Sequence, residues 1–251
     1  MIKRIALSGA FFVCIAGFAQ AATVSGNFGG TIDAPSNATG IVATVVGTNS
    51  LAWGTPKHSE SNVVGGNSSS LTVNNASFER TNFTAGKILF GTIIWNNQSN
   101  WRTGGNWDSN VNLSIDFNAP TVLAQLSQTV GFSVRNTPDA TRDTANNEIT
   151  GLNPDVISSM ILSSTAFGVP INLGDGLKLT SVFFDLEYAG TKTTISSFNS
   201  ATGEWINREG GTSTIGVYGN ISAVPLPAGL WLLLGGLGGL AAVRRRAKET
   251  A

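Results

Sequence analysis

The sequence predicts an all-β protein: a single β-sandwich or jelly-roll-like domain, flanked by an N-terminal signal-peptide helix and a C-terminal transmembrane helix. Three observations predict the central domain. Apolar residues recur at every second position in several short runs, the signature of half-buried strands. Clusters of Gly, Pro, Asn and Asp punctuate those runs. No long segment between residues 22 and 223 keeps apolar residues at helical spacing, and only 12% of the chain is charged, which suits hydroxyl-rich strand faces better than solvent-exposed helices.

In chain order, the Gly, Ser and Asn-rich stretches near residues 22–50 and 61–70 read as flexible segments. Ile88 to Trp95 is a nearly continuous apolar run, as expected of a central strand covered on both faces. Val111 to Asn118 alternates apolar and polar residues over eight positions, so Val111, Leu113, Ile115 and Phe117 share a buried face. Val130, Phe132 and Val134 repeat the pattern within Thr129 to Arg135. Asp155 to Ser163 reads as one short helix. Val182, Phe184, Leu186 and Tyr188 form another inward set, leaving Phe183, Asp185 and Glu187 on the opposite face. Ile215, Val217 and Ile221 close the series. Turn signals fall at Gly65-Gly66-Asn67, Asn136-Thr137-Pro138-Asp139, Gly174-Asp175-Gly176 and Gly210-Gly211. The roughly 200 residues from Ala22 to Ala223 suffice for one sizeable β domain, and no break in composition demands two.

The two ends have a different chemistry. Lys3 and Arg4 form a positive region, Ile5 to Phe18 an apolar one, and Ala19-Gln20-Ala21 a small-residue cleavage site, so residues 1–21 read as a secretory signal peptide cut after Ala21. The only cysteine, Cys14, lies inside that segment, and the exported part therefore relies on packing rather than disulfides. At the other end, Val224-Pro225-Leu226-Pro227-Ala228 opens an apolar stretch, Leu226 to Val243, that ends at Arg244-Arg245-Arg246. Its 18 residues make about 27 Å of helix, barely enough to cross a hydrocarbon core of about 30 Å. The arginines would hold that end on the cytoplasmic side. A temporary anchor, a permanent single-pass anchor and the last helix of a folded core all fit these physics. Without both end segments, nine of the 15 basic and 14 of the 15 acidic residues remain, a net charge near −5 that disfavours nucleic acid and anionic lipid as partners of residues 22–223.

The order of proline motif, apolar run and arginine cluster in residues 224–251 resembles the VPLPA variant of the PEP-CTERM sorting signals. That resemblance implies an exosortase, a membrane-embedded enzyme that recognises the proline motif and cuts near it. It also implies delivery across the inner membrane to the surface or extracellular matrix of a Gram-negative bacterium. A second resemblance covers about Leu51 to Ile221. Leu51-Ala52-Trp53-Gly54-Thr55-Pro56, Phe83 with Ile88 through Asn97, Phe132 through Pro138, Phe184 through Glu187 and Ile215 through Ile221 are similar to the choice-of-anchor K domain. Members of that family are exported bacterial proteins that share an ectodomain but differ in their surface anchors. It implies location and architecture and no catalytic residue.

The chemistry-bearing residues are sparse. A hydrolytic triad needs a histidine, and the one histidine, His58, lies in the polar stretch Pro56 to Glu60. Neither H-E-x-x-H nor paired cysteines occur, so zinc is not expected. Asp185 and Glu187 would lie about 7 Å apart on one strand face, a spacing open to carboxylate-pair hydrolysis but equally that of a solvated strand. Asp139 and Asp143, with Asn146, Asn147, Glu148, Asn153 and Asp155, form the densest set of oxygen ligands and the candidate calcium site, although no EF-hand spacing fits and a solvated loop explains them as well. Trp95, Trp101 and Trp107 lie six residues apart among amide and hydroxyl side chains. Flat rings beside hydrogen-bonding groups suit sugars, which makes Trp101, Trp107 and Asn106 the candidate glycan-contact residues. The competing reading takes Trp95 as the end of a core strand and the other two as pins of a long loop. The seven Asn-x-Ser/Thr triplets are expected by chance in a chain this rich in Asn, Ser and Thr.

The expectation is a non-catalytic surface or matrix protein with a structural or adhesive role. A carbohydrate-binding module for extracellular polysaccharide is the alternative, and a carboxylate-dependent glycoside hydrolase comes third.

Overall fold

Alternation sends every second side chain of a strand to one face, so a chain of such strands needs a second apolar layer to cover that face. The computed structural model describes residues 21–39, 43–54, 69–98, 105–137, 154–188, 196–208, 210–224 and 235–240. Among these, the strands in chain order are β1 (Ala22–Ile32), β2 (Ser36–Thr39), β3 (Ala43–Val45), β4 (Ser50–Trp53), β5 (Ser69–Asn74), β6 (Ala76–Phe83), β7 (Gly86–Asn97) and β8 (Gly105–Ala119). Then follow β9 (Leu126–Asn136), β10 (Asp155–Ser158), β11 (Ile171–Gly174), β12 (Leu177–Tyr188), β13 (Ser197–Asn199), β14 (Glu204–Asn207) and β15 (Gly211–Ala223).

They pair antiparallel throughout and form two curled sheets. The first runs β13-β14-β10-β9-β8-β1-β6, with β2 also on β8, and the second runs β11-β12-β15-β7-β5-β4-β3. One apolar cluster lies between them, with Phe28, Leu113, Ile115 and Phe132 from the first sheet and Leu71, Ile93, Phe184 and Val217 from the second. This arrangement is consistent with a sandwich. Each such side chain, fully removed from water, contributes about 1.5–3 kcal/mol of transfer free energy. The sheets approach closely where Phe28 faces Gly91, since a Cβ built on Gly91 would overlap the Phe28 ring.

The inward sets read from the sequence are buried: Val111, Leu113, Ile115 and Phe117 in β8, Val130, Phe132 and Val134 in β9, and Ile215, Val217 and Ile221 in β15. In β12, Val182 and Phe184 are buried and Leu186 packs against the core, with Phe183, Asp185 and Glu187 on the other side.

Three expectations need correction. Residues 155–163 contain no helix: Asp155–Ser158 is a strand held between β9 and β14, a state that its β-branched Val156 and Ile157 also favour. Residues 22–32 are a core strand in place of a flexible segment, with Ala22, Val24, Phe28 and Ile32 buried. Ile88 to Trp95 does lie in the middle strand of its sheet, but only one face is covered. Ile88, Phe90, Ile93 and Trp95 point inward while Leu89, Thr92 and Ile94 are half-exposed, and Gly91, buried with Phe90, marks a bulge opposite Val217 and Tyr218.

Of the two flanking helices expected from the sequence, the N-terminal one lies outside the described residues. Residues 235–240 form a helical turn with Leu237 and Leu240 exposed, and among the described residues no helix is long and apolar enough to cross a membrane.

Candidate functional site

Strand register gathers several strand ends at one pole. Trp53 pairs with Ser69, Gly105 with Asn136, Asp155 with Asn207 and Gly211 with Asn97. Amide side chains cross-link the two sheets here. Trp53 Nε1 donates to Asn136 Oδ1 at 3.1 Å, Asn97 Nδ2 to the Asn207 carbonyl at 3.0 Å, and Asn207 Nδ2 to the Trp95 carbonyl at 3.1 Å. Ser196 Oγ completes the set by donating to Asn207 Oδ1 at 2.7 Å. Because Asn97 and Asn207 are fully buried, these bonds replace hydration that the amides cannot regain, which makes them specific as well as stabilising.

Beneath them lies a cluster of tryptophans. Trp53 sits 5.2 Å from Trp107 and 6.4 Å from Trp95, and Trp95 meets Trp205 edge to face at 5.3 Å. Among the described residues the indole N–H groups of Trp95, Trp107 and Trp205 have no hydrogen-bond acceptor, and each of these rings makes an edge-to-face aromatic contact.

Trp107 must therefore be withdrawn as a sugar-contact residue. It is 1% exposed, in phase with Val111 and Leu113, and wedged between Trp53 and Phe132. Asn106 is exposed at the start of β8, where its carbonyl accepts a bond from Thr39 Oγ1 at 3.5 Å. Trp101, His58, Asp139 and Asp143 lie outside the described residues, as do the cleavage residues Ala19 and Pro225 to Ala228 of the sorting motif, together with Arg244 to Arg246. Among the described residues, no three His, Cys, Asp or Glu side chains are grouped to hold a metal ion.

The outward face of the second sheet carries a feature that alternation alone did not single out. Register places Phe183 of β12 beside Tyr218 of β15, and Tyr218 beside Leu89 of β7. The Phe183 and Tyr218 rings are nearly parallel, at 21° with centroids 5.9 Å apart. Gly216 makes room for this, because a Cβ there would run into the Tyr218 ring. Lys87 reaches across β15 from β7. Its ammonium lies 3.5 Å from the Tyr218 centroid and donates to Asp185 Oδ2 at 2.6 Å. Lys87 and Asp185 are 41% and 53% exposed, so the ion pair itself contributes little. The cation over the ring adds about 0.5–1 kcal/mol at such a site. Asn220 and Ser181, bonded to each other at 3.0 Å, border the same patch. A flat aromatic surface ringed by amide, hydroxyl and charged groups can stack on the C–H face of a pyranose once the Lys87 side chain swings aside. Of the two carboxylates on this face, Asp185 is paired with Lys87 and Glu187 is exposed.

The outward face of the first sheet is hydrogen-bonded to itself. Asp33 accepts from Asn110 Nδ2 at 3.0 Å and Asn112 Nδ2 at 2.8 Å, and Asp108 accepts from Asn37 Nδ2 at 2.9 Å and Ser133 Oγ at 2.6 Å. The bond from Asn37, followed by that from Ser133, holds the Asp108 carboxyl below the usual carboxylate value.

No protein-family model and no curated protein matches the chain.

Proposed function

We propose that the protein is an exported, exosortase-sorted component of the cell surface or extracellular matrix of a Gram-negative bacterium, with a non-catalytic structural or adhesive role. In this reading the sandwich is jelly-roll-like, the signal helix is removed after Ala21, and a transmembrane helix anchors the chain until processing. The observation that carries it is the order of Val224 to Ala228, an apolar run and Arg244 to Arg246 in one chain with an N-terminal signal segment. The β-rich domain between the two segments, stabilised by packing and buried amides without disulfides, supports it. The test is deletion of residues 224–251 in the producing cell: the truncated protein should leave the surface for the medium. Unchanged surface retention would refute the sorting role of that segment.

A second reading, recognition of extracellular polysaccharide, is favoured by the Phe183 and Tyr218 patch. On that reading Tyr218→Ala abolishes retention on the producer's own polysaccharide, and undiminished retention removes this patch as the contact surface.

A further inference from the structure

The domain ends with no slack before the apolar segment. β15 is paired through Ala223, which lies opposite Leu177, and the Val224 amide donates to the Gly176 carbonyl at 2.7 Å. Only Pro225 separates that bonded residue from Leu226, where the 18-residue apolar stretch begins. The stretch has no residues to spare, since about 27 Å of helix must already match a hydrocarbon core of about 30 Å. On the anchoring reading Leu226 sits at the hydrocarbon boundary, and two residues of extended chain reach at most about 7 Å from it. That distance is about the thickness of one headgroup layer.

We infer that, while the anchor is intact, the pole of the domain around Val224 is seated in the lipid headgroup layer of the membrane that holds it. The contact surface is the Gly174-Asp175-Gly176 turn, the loop Pro120 to Gln125 and Val224 itself. These are contiguous: a Cβ on Gly174 would meet Thr121 and Pro120, and one on Gly176 would meet the Val224 carbonyl. The pole presents two of the large apolar side chains that stand exposed among the described residues, Val122 at 75% and Val224 at 43%. Asp175 is exposed and Lys178 half-exposed beside it, so the pole has no strong charge preference and a zwitterionic surface suits it. β1 also starts here, because Ser25 pairs with Ala119 next to Pro120. Both ends of the domain thus emerge toward the bilayer. The tryptophan and asparagine pole, at the far end of the 13-residue β15, stands roughly 40 Å away from it.

The inference rests on the anchoring reading above, and the experiment separates the two. Residues 22–251, the anchored form once the signal segment is removed, have no cysteine of their own and carry one, Val122→Cys or, as the control, Asn106→Cys, labelled with a polarity-sensitive fluorophore and reconstituted into phosphatidylcholine vesicles containing a headgroup-nitroxide lipid. The Val122 probe should shift to the blue and lose most of its emission to the nitroxide, and the Asn106 probe should do neither. A flexible linker of about ten residues between Ala223 and Val224, adding roughly 17 Å of mean reach, should cancel the effect at Val122 while the protein still sediments with the vesicles. A water-like Val122 probe on vesicle-bound protein without the linker overturns the contact. Failure to sediment at all overturns the anchoring reading and the contact with it.

Discussion

Along β8 the outward side chains are Asn106, Asp108, Asn110, Asn112, Ser114, Asp116 and Asn118, whereas the sheet built around β15 and β7 turns Phe183, Tyr218, Leu89 and Ile94 outward. Inward, the two sheets are alike. The difference shows which surface the fold itself consumes. On the first sheet the amides and carboxylates bind the chain that crosses them: Asn110 and Asn112 clamp Asp33, and Asp108 holds Asn37, which fixes the path from β1 into β2. On the second sheet the aromatic pair holds no connecting segment among the described residues. Among the described residues its contacts are with Lys87, Gly216 and each other, which leaves it as the outward surface with chemistry to spare.

The largest test lies beneath both faces. Phe28→Ala, which removes the ring that packs against Gly91, should destabilise residues 22–223 by about 3–5 kcal/mol in urea unfolding. A loss under about 1 kcal/mol would mean that the sheets are not coupled there. On the first face, Asp33→Ala removes two side-chain bonds and should cost about 1–2 kcal/mol by the same measurement. On the second, Lys87→Ala should cost less than about 1 kcal/mol, and that cost should shrink further in high salt. If Lys87→Ala proved the more damaging of the two, the assignment of a structural role to one face and a free surface to the other would be reversed.

The smallest effect concerns acid. The Asp108 carboxyl is held below its usual value in the folded protein, so its contribution is complete above the unfolded value of about 3.9 and is lost as pH falls through the lower folded value. Asp108→Asn should therefore lower stability slightly near neutral pH and flatten the acid limb of the profile, the difference from the parent vanishing at low pH. A profile identical to that of the parent would remove Asp108 from the account.

Much of this was legible from spacing, and some of it was legible but obscured. Trp107 is two steps of two before Val111, so extending the β8 alternation backwards would have put it in the core before its neighbours Asn106 and Asp108 made it look like a sugar platform. β1 alternates as well, but Gly26 and Gly30 interrupt its apolar phase and gave Ala22 to Ile32 a flexible look. Asp155–Ser158 had β-branched residues that favoured a strand, yet its state depends on β9 and β14, which come from distant parts of the chain.

Period-two patterning is local, so the all-β class and the inward residues of β8, β9, β12 and β15 could be read from spacing alone. The segment chemistry of the two ends, charge beside apolar run, is local in the same sense. Only the tertiary structure decided which side chains meet across strands. Lys87 and Asp185 are 98 residues apart in sequence and touch over Tyr218, and Asn97 reaches the Asn207 carbonyl across 110 residues. Such meetings depend on strand order and register, and a shift of one residue would turn every partner to the opposite face. The packing of the whole core sets that register, which no single segment encodes.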